Sequence, residues 1–163
     1  MFNTLKNIIN SGFSINETMS GKHKFYKPSS NIIDVEQDIK FNIFWGNDSI
    51  KNFFDSKHPK YMEARLTGTI DVKGLCENSP CKGKLILDYF NRHTIRYDFD
   101  FYNNNLNYKF IGEKINIRPW NILTSHTTCF GVIIDSNGSL ISVCKMFFDL
   151  KTIPEFIYSF RLR

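Results

Sequence analysis

The chain has 163 residues, of which 42% are hydrophobic and 15% aromatic, with 16 Phe. That is ample for one domain with its own core, and it excludes a largely disordered chain. Four cysteines are too few for a disulfide scaffold, and no stretch approaches the length of a membrane span. The net charge of +5 is modest, and solvated surface charge accounts for it. Residues 1–10 (MFNTLKNIIN) hold no apolar run of signal-peptide length, so a cytoplasmic protein is expected, with signal-independent export left open.

In chain order, residues 1–12 form an N-terminal segment, helical or loose, with Phe2, Leu5, Ile8 and Ile9 on one side of a short amphipathic helix. Phe13 to Met19 alternates as a first strand ending at Gly21, and Lys22 to Ser30 reads as a basic, polar loop. Asp38 to Trp45 is a second strand with Ile39, Phe41, Ile43 and Trp45 on one face. Asp48 then caps a helical turn that carries Ile50, Phe53 and Phe54. Tyr61 to Val72 alternates for a third strand, where Gly68 predicts a bulge or sharp bend. Lys73 to Gly83, with Cys76 and Cys81, reads as a loop before a strand over Lys84–Phe90.

The stretch from Thr94 to Gly112 alternates most cleanly. Ile95, Tyr97, Phe99 and Phe101 share one face, and Arg96, Asp98 and Asp100 the other. Asn103-Asn104 supplies a two-residue turn, which sets Phe101 against Leu106, Phe99 against Tyr108, Tyr97 against Phe110 and Asp98 against Lys109. After Arg118-Pro119, Thr127–Ile134 and Ser139–Phe148 flank Asn137-Gly138, the strongest hairpin signal in the chain. With a two-residue loop Cys129 opposes Met146 and Cys144 opposes Gly131, placing both thiols on one face but diagonally, too far apart for a disulfide. The tail over Thr152–Leu162 reads as an edge strand or one helical turn. Eight to ten strands at short spacing predict an all-β domain, a single antiparallel up-and-down barrel over residues 13–163, lipocalin-like, with a β-sandwich as the alternative.

Four motifs occur in a recognisable order: FSINETMSG (Phe13–Gly21), ARLTGTIDVKGL (Ala64–Leu75), YDFDFYNNNLNYKFIGEK (Tyr97–Lys114) and W-x-x-x-x-S-H-T-T (Trp120–Thr128). Together they resemble the accessory β domain fused to large bacterial flavin-dependent sterol oxidases of the glucose–methanol–choline type, which also occurs beside lipase-like hydrolase domains. The resemblance implies a free-standing accessory module, with flavin and catalytic residues belonging to the neighbouring enzyme domain. Accordingly, the chain has no strand–G-x-G-x-x-G–helix unit and no G-x-S-x-G elbow, and no cofactor is expected. The resemblance assigns no functional residues. It does favour an apolar ligand, by analogy.

From the residues themselves, the inward aromatic set of Trp45, Tyr97, Phe99, Phe101, Tyr108 and Phe110 either lines a cavity for a lipophilic molecule, sterol-like or otherwise, or fills the barrel solid. Trp120 and His126 join the candidate ligand-binding residues. The expected role is non-catalytic, binding such a molecule or docking to a lipid-metabolising enzyme. The enzyme alternative is a small isomerase or hydrolase using His126 with Glu113 or an Asp at the barrel mouth. A third reading is an interaction domain without ligand, for a protein partner or its own copy. Cys129 and His126 lie three residues apart on extended chain and face opposite sides, which argues against a Cys–His dyad. The four histidines and Cys76-x4-Cys81 have no metal-site spacing, so no metal is expected. Nucleic acid is not an expected partner either, because aromatics and charges occupy opposite faces of the central hairpin.

Overall fold

Alternating residues give each long strand one apolar and one wet face, and a sheet with one apolar face buries it by curling on itself. The computed structural model describes residues 11–26, 35–118, 120 and 126–148, with the backbone of 161–162. Eight antiparallel strands run β1 (Phe13–Phe25), β2 (Gln37–Asn47), β3 (Glu63–Val72), β4 (Cys76–Asp88), β5 (Thr94–Asn103), β6 (Leu106–Lys114), β7 (Thr128–Asp135) and β8 (Leu140–Phe148). Each pairs with its sequence neighbour, and β1 pairs with both β2 and β8, closing an up-and-down barrel. A two-residue strand β9 (Arg161–Leu162) adds to β1 at Phe13 and Ser14. One short helix, α1 (Ile50–Phe54), sits between β2 and β3. The all-β barrel expected from alternation is therefore the fold.

Several local expectations are corrected. The Lys22–Ser30 loop begins later, because β1 continues to Phe25; residues 19–25 complete the barrel by pairing with β8. Lys22 and Lys24 stay outside, while inward His23 is satisfied by Ser142 Oγ at 2.9 Å and by donating Nε2–H to the Lys73 carbonyl at 3.0 Å. The Lys73–Gly83 loop is also overturned: β4 starts at Cys76 and pairs with both β3 and β5. The ladder to β3, which sets Ser79 against Ile70 and Pro80 against Thr69, and the Ser79 hydroxyl donating to the Tyr102 carbonyl at 2.6 Å override the weak strand propensity of Ser79 and Pro80. The bulge lies between Ile70 and Val72, not at Gly68. Gly68 instead lets β2 approach, since a Cβ there would come within 2.1 Å of the Asn42 carbonyl oxygen. Ser49 rather than Asp48 caps α1, its side chain accepting from Asn52 N–H at 3.2 Å.

The central hairpin turns one residue later than expected. Asn104 and Asn105 both have positive φ, +48° and +65°, as a type I′ turn requires. Phe101 therefore opposes Tyr108, Phe99 opposes Phe110, Tyr97 opposes Gly112, and Asp98 opposes Ile111. Moving the turn by one residue moves each partner by two, so no side chain changes face. Lys109 still reaches Asp98 diagonally at 3.1 Å. In the second hairpin the Cys129–Met146 and Gly131–Cys144 pairs form as expected. There the loop has three residues, and a bulge beside Ile133 restores the register. Residues 1–10, most of the tail and residues 121–125 lie outside the described residues, so the expected N-terminal helix does too.

The interior at mid-height is packed with rings. Phe41 touches Tyr97, Phe99 and Phe110 at centroid distances of 5.6, 5.7 and 5.7 Å, and Phe99 stacks on Phe110 at 4.8 Å. Facing glycines Gly112 and Gly131 make room for Phe110, whose ring lies within 2.9 Å of the Cβ position of either one.

Candidate functional site

In an up-and-down barrel the connections alternate between ends. The β2–β3, β4–β5 and β6–β7 connections, with α1, therefore share one end with the starts of β1 and β7. Two charged residues reach into the barrel near this end. Phe13, Ile15, Glu17 and Met19 form one inward row on β1, and Tyr108, Phe110, Gly112 and Lys114 another on β6. Each row is apolar but for one charge, and closure brings the two charges together.

Lys114 Nζ donates to Glu17 Oε1 at 2.6 Å, and both side chains are buried. Tyr97 Oη donates to the same oxygen at 2.8 Å, and Trp45 Nε1 donates to Oε2 at 3.0 Å. The Lys114 ammonium also lies over the rings of Tyr97 and Phe148, at 5.3 and 5.8 Å. Burial and the Glu17 charge hold the Tyr97 phenol well above its ordinary value, so it stays a donor. A carboxylate with three donors, one of them a cation, is a compensated buried charge.

Above this network, between α1 and the strand ends, lies a cleft of about 440 Å³. Its lining includes Phe13, Ile15, Trp45, Ile50, Phe54 and Tyr89, and every lining residue is apolar or aromatic. Trp45 belongs to both features: its ring forms cleft wall, and its N–H is tied to Glu17 behind. Tyr89 connects the cleft to His126, with ring centroids 6.1 Å apart. His126 Nδ1 is buried and has no hydrogen-bond partner among the described residues. Burial, followed by the nearby Lys114 ammonium, lowers the His126 pKa, favouring the neutral imidazole.

The candidate residues from the sequence thus separate. Trp45, Tyr97 and His126 gather at the α1 end. Phe99 and Phe110 lie in the packed middle, while Tyr108 stacks with Phe101 nearer the opposite end. Trp120 is exposed beside Arg118. Glu113 turns outward, 3.8 Å from Arg96, while its neighbour Lys114 turns inward, so Glu113 and His126 are not brought together. Glu17 and Lys114 match no catalytic or binding motif, so motif reading passes over them. Their signal was legible, a single charge of each sign on an otherwise apolar strand face.

Among the described residues no group of three His, Cys, Asp or Glu gathers to hold a metal, and no helix is long and apolar enough to cross a membrane. All four cysteines are free. Burial pushes the Cys81 and Cys144 thiols up to about 12 and Cys129 higher still, which starves them of thiolate. At pH 9, where an ordinary thiol is mostly ionised, iodoacetamide should leave these three intact in the native protein and modify half-buried Cys76 first. Mass mapping of the alkylated chain reads this out, and rapid native modification of Cys129 would contradict it. Protein-family models, curated protein sequences and solved structures yield no match to this chain.

Proposed function

We propose that this barrel is a non-catalytic module that binds a lipophilic small molecule, sterol-like or of similar apolar character, in the cleft between α1 and the strand ends. The observation that carries this reading is the cleft itself. Its volume falls within the range of small-molecule sites, its lining is wholly apolar, and its Trp45 wall is held in place by the bond from the indole N–H to Glu17 behind. The packed rings of Phe41, Phe99 and Phe110 form a rigid floor beneath it, so the ligand sits at the mouth of the barrel rather than along its axis. A non-catalytic role accords with Glu17 being fully engaged by three donors and with thiols held protonated. The resemblance to accessory modules of sterol oxidases points to the same ligand class.

Titration with a fluorescent sterol in vesicle-free buffer, followed by displacement with unlabelled sterol, tests the reading. Native mass spectrometry checks for a bound species. Ile50→Glu puts a carboxylate in the first turn of α1, where helix geometry tolerates it, and makes the cleft margin polar. Micromolar binding that weakens at least about tenfold in Ile50→Glu is expected, as one buried charge without a partner costs well over 1.4 kcal/mol. Absence of binding at micromolar probe, or identical binding by the variant, would refute the proposal.

A further inference from the structure

We infer that the α1 end of the barrel docks on the surface of an anionic phospholipid bilayer, with the mouth of the cleft facing the lipid. The inference rests on the cleft reading above for what the docking serves, transfer of a lipophilic ligand between bilayer and barrel. Its own support is the composition of the rim.

Large apolar side chains stand out from every described connection at this end. Phe54 ends α1, Phe90 lies in the β4–β5 turn, and Ile115 and Trp120 lie in the β6–β7 connection; they are 60%, 66%, 49% and 80% exposed. They are continuous with the cleft, since Phe54 lines it and packs on Phe53 at 4.9 Å, while Phe90 packs on the cleft residue Tyr89 at 5.7 Å. Exposed aromatic rings around a ligand mouth match the headgroup–acyl boundary, where one side of the ring meets hydrocarbon and the other meets water.

Charge complementarity decides between bilayer and other apolar partners. Lys51, Lys57 and Lys60 are exposed in or beside α1, and none forms an ion pair among the described residues. The acidic residues nearby are largely committed, Asp48 to Arg65 and Asp88 to Arg92, leaving Asp55, whose carboxylate accepts the Lys57 N–H at 2.9 Å. At the opposite end Tyr26, Val35, Tyr102 and Leu106 are also exposed, but the described connections there carry a single lysine, Lys73, beside the acidic Glu36, so charge rather than apolar exposure separates the two ends. Lysines next to inserted aromatics keep their ammonium groups at the phosphates, and each contributes about fivefold in partitioning onto an anionic surface.

Vesicle co-sedimentation of the full chain tests this, using phosphatidylcholine with and without phosphatidylserine. The protein should sediment with the anionic vesicles, poorly with phosphatidylcholine alone, and less as salt is raised. The double variant Lys57→Glu/Lys60→Glu should lose at least about twentyfold in partitioning, and Phe90→Ser should also weaken it. Both variants should keep the native far-ultraviolet circular dichroism and bind the sterol probe normally in vesicle-free buffer. Failure of the native chain to sediment with anionic vesicles overturns the docking. So does undiminished binding by the double variant, or loss of binding only in Tyr102→Ser/Leu106→Ser at the opposite end. Loss of probe binding with vesicle binding intact strikes the cleft reading instead, so the two failures are distinguishable.

Discussion

Replacing Glu17 by alanine should destabilise the folded protein by about 3–5 kcal/mol, because it leaves the Lys114 ammonium buried without its counter-charge. The same change removes the acceptor for Tyr97 Oη and Trp45 Nε1, and each stranded donor carries its own desolvation cost. The contribution of the charge can be separated from that of the neutral donors. Adding Lys114→Met to Glu17→Ala removes the unpaired cation and should restore most of the loss, leaving a residue of about 1–3 kcal/mol from the stranded donors. Urea unfolding of the native chain, both single variants and the double variant gives the coupling energy directly. A loss below about 1 kcal/mol in Glu17→Ala would mean that the pair is hydrated, against the burial seen for both side chains. The cleft shares Trp45 with this network, so Glu17→Ala should also loosen the indole and weaken binding of the sterol probe.

A second large loss, about 3–5 kcal/mol, is expected for Phe41→Ala. Phe41 is fully buried and its ring meets those of Tyr97, Phe99 and Phe110, which are held by strands on the far side of the barrel. The surrounding strands are joined in a closed ladder and cannot collapse into the space, so most of the cavity should persist. Phe44, three residues along the same strand, points outward and is more than half exposed; Phe44→Ala should cost no more than about 0.5 kcal/mol. Comparable losses from the two changes would contradict the assignment of inside and outside on β2. If Phe41→Ala creates a real cavity, it should also gain affinity for small apolar probes that the native interior excludes.

These two tests bear on the proposed function from different sides. The ring cluster closes the middle of the barrel, which is why the proposed ligand is placed at the end. The Glu17 network sits between that closed middle and the apolar cleft and orients the tryptophan that both share. The inferred docking of the same end on a bilayer would place a lipophilic ligand's source where the proposed site opens.

Much of the architecture follows from local pattern. Period-two alternation identified β1, β2, β3, β5 and β6, the Asn137-Gly138 step marked β7 and β8, and the apolar faces of β2, β3 and β5 proved to be the inward ones. Turns were less legible. Three consecutive asparagines tolerate positive φ almost equally, so composition could not choose between Asn103-Asn104 and Asn104-Asn105; the register of the paired strands chose. The start of β4 is hidden because Asn, Ser and Pro favour loops, and only pairing with β3, with Ser79 tied to the Tyr102 carbonyl, outweighs that preference.

Where a strand is recognisable, sequence alone settles which of its side chains share a face, because face depends only on parity along the strand and survives a shift of turn by one residue. It therefore determined an all-β protein with an aromatic interior. Tertiary structure alone decided which inward residues meet. Glu17 and Lys114 are 97 residues apart in the chain, and nothing local relates them; they touch because closing eight strands brings β1 and β6 across the same lumen. Closure likewise decided that Phe41, Phe99 and Phe110 pack against one another, and that the apolar cleft opens beside α1. Filling a barrel is a property of summed side-chain volume within a fixed circumference, and circumference exists only once the last strand has paired with the first.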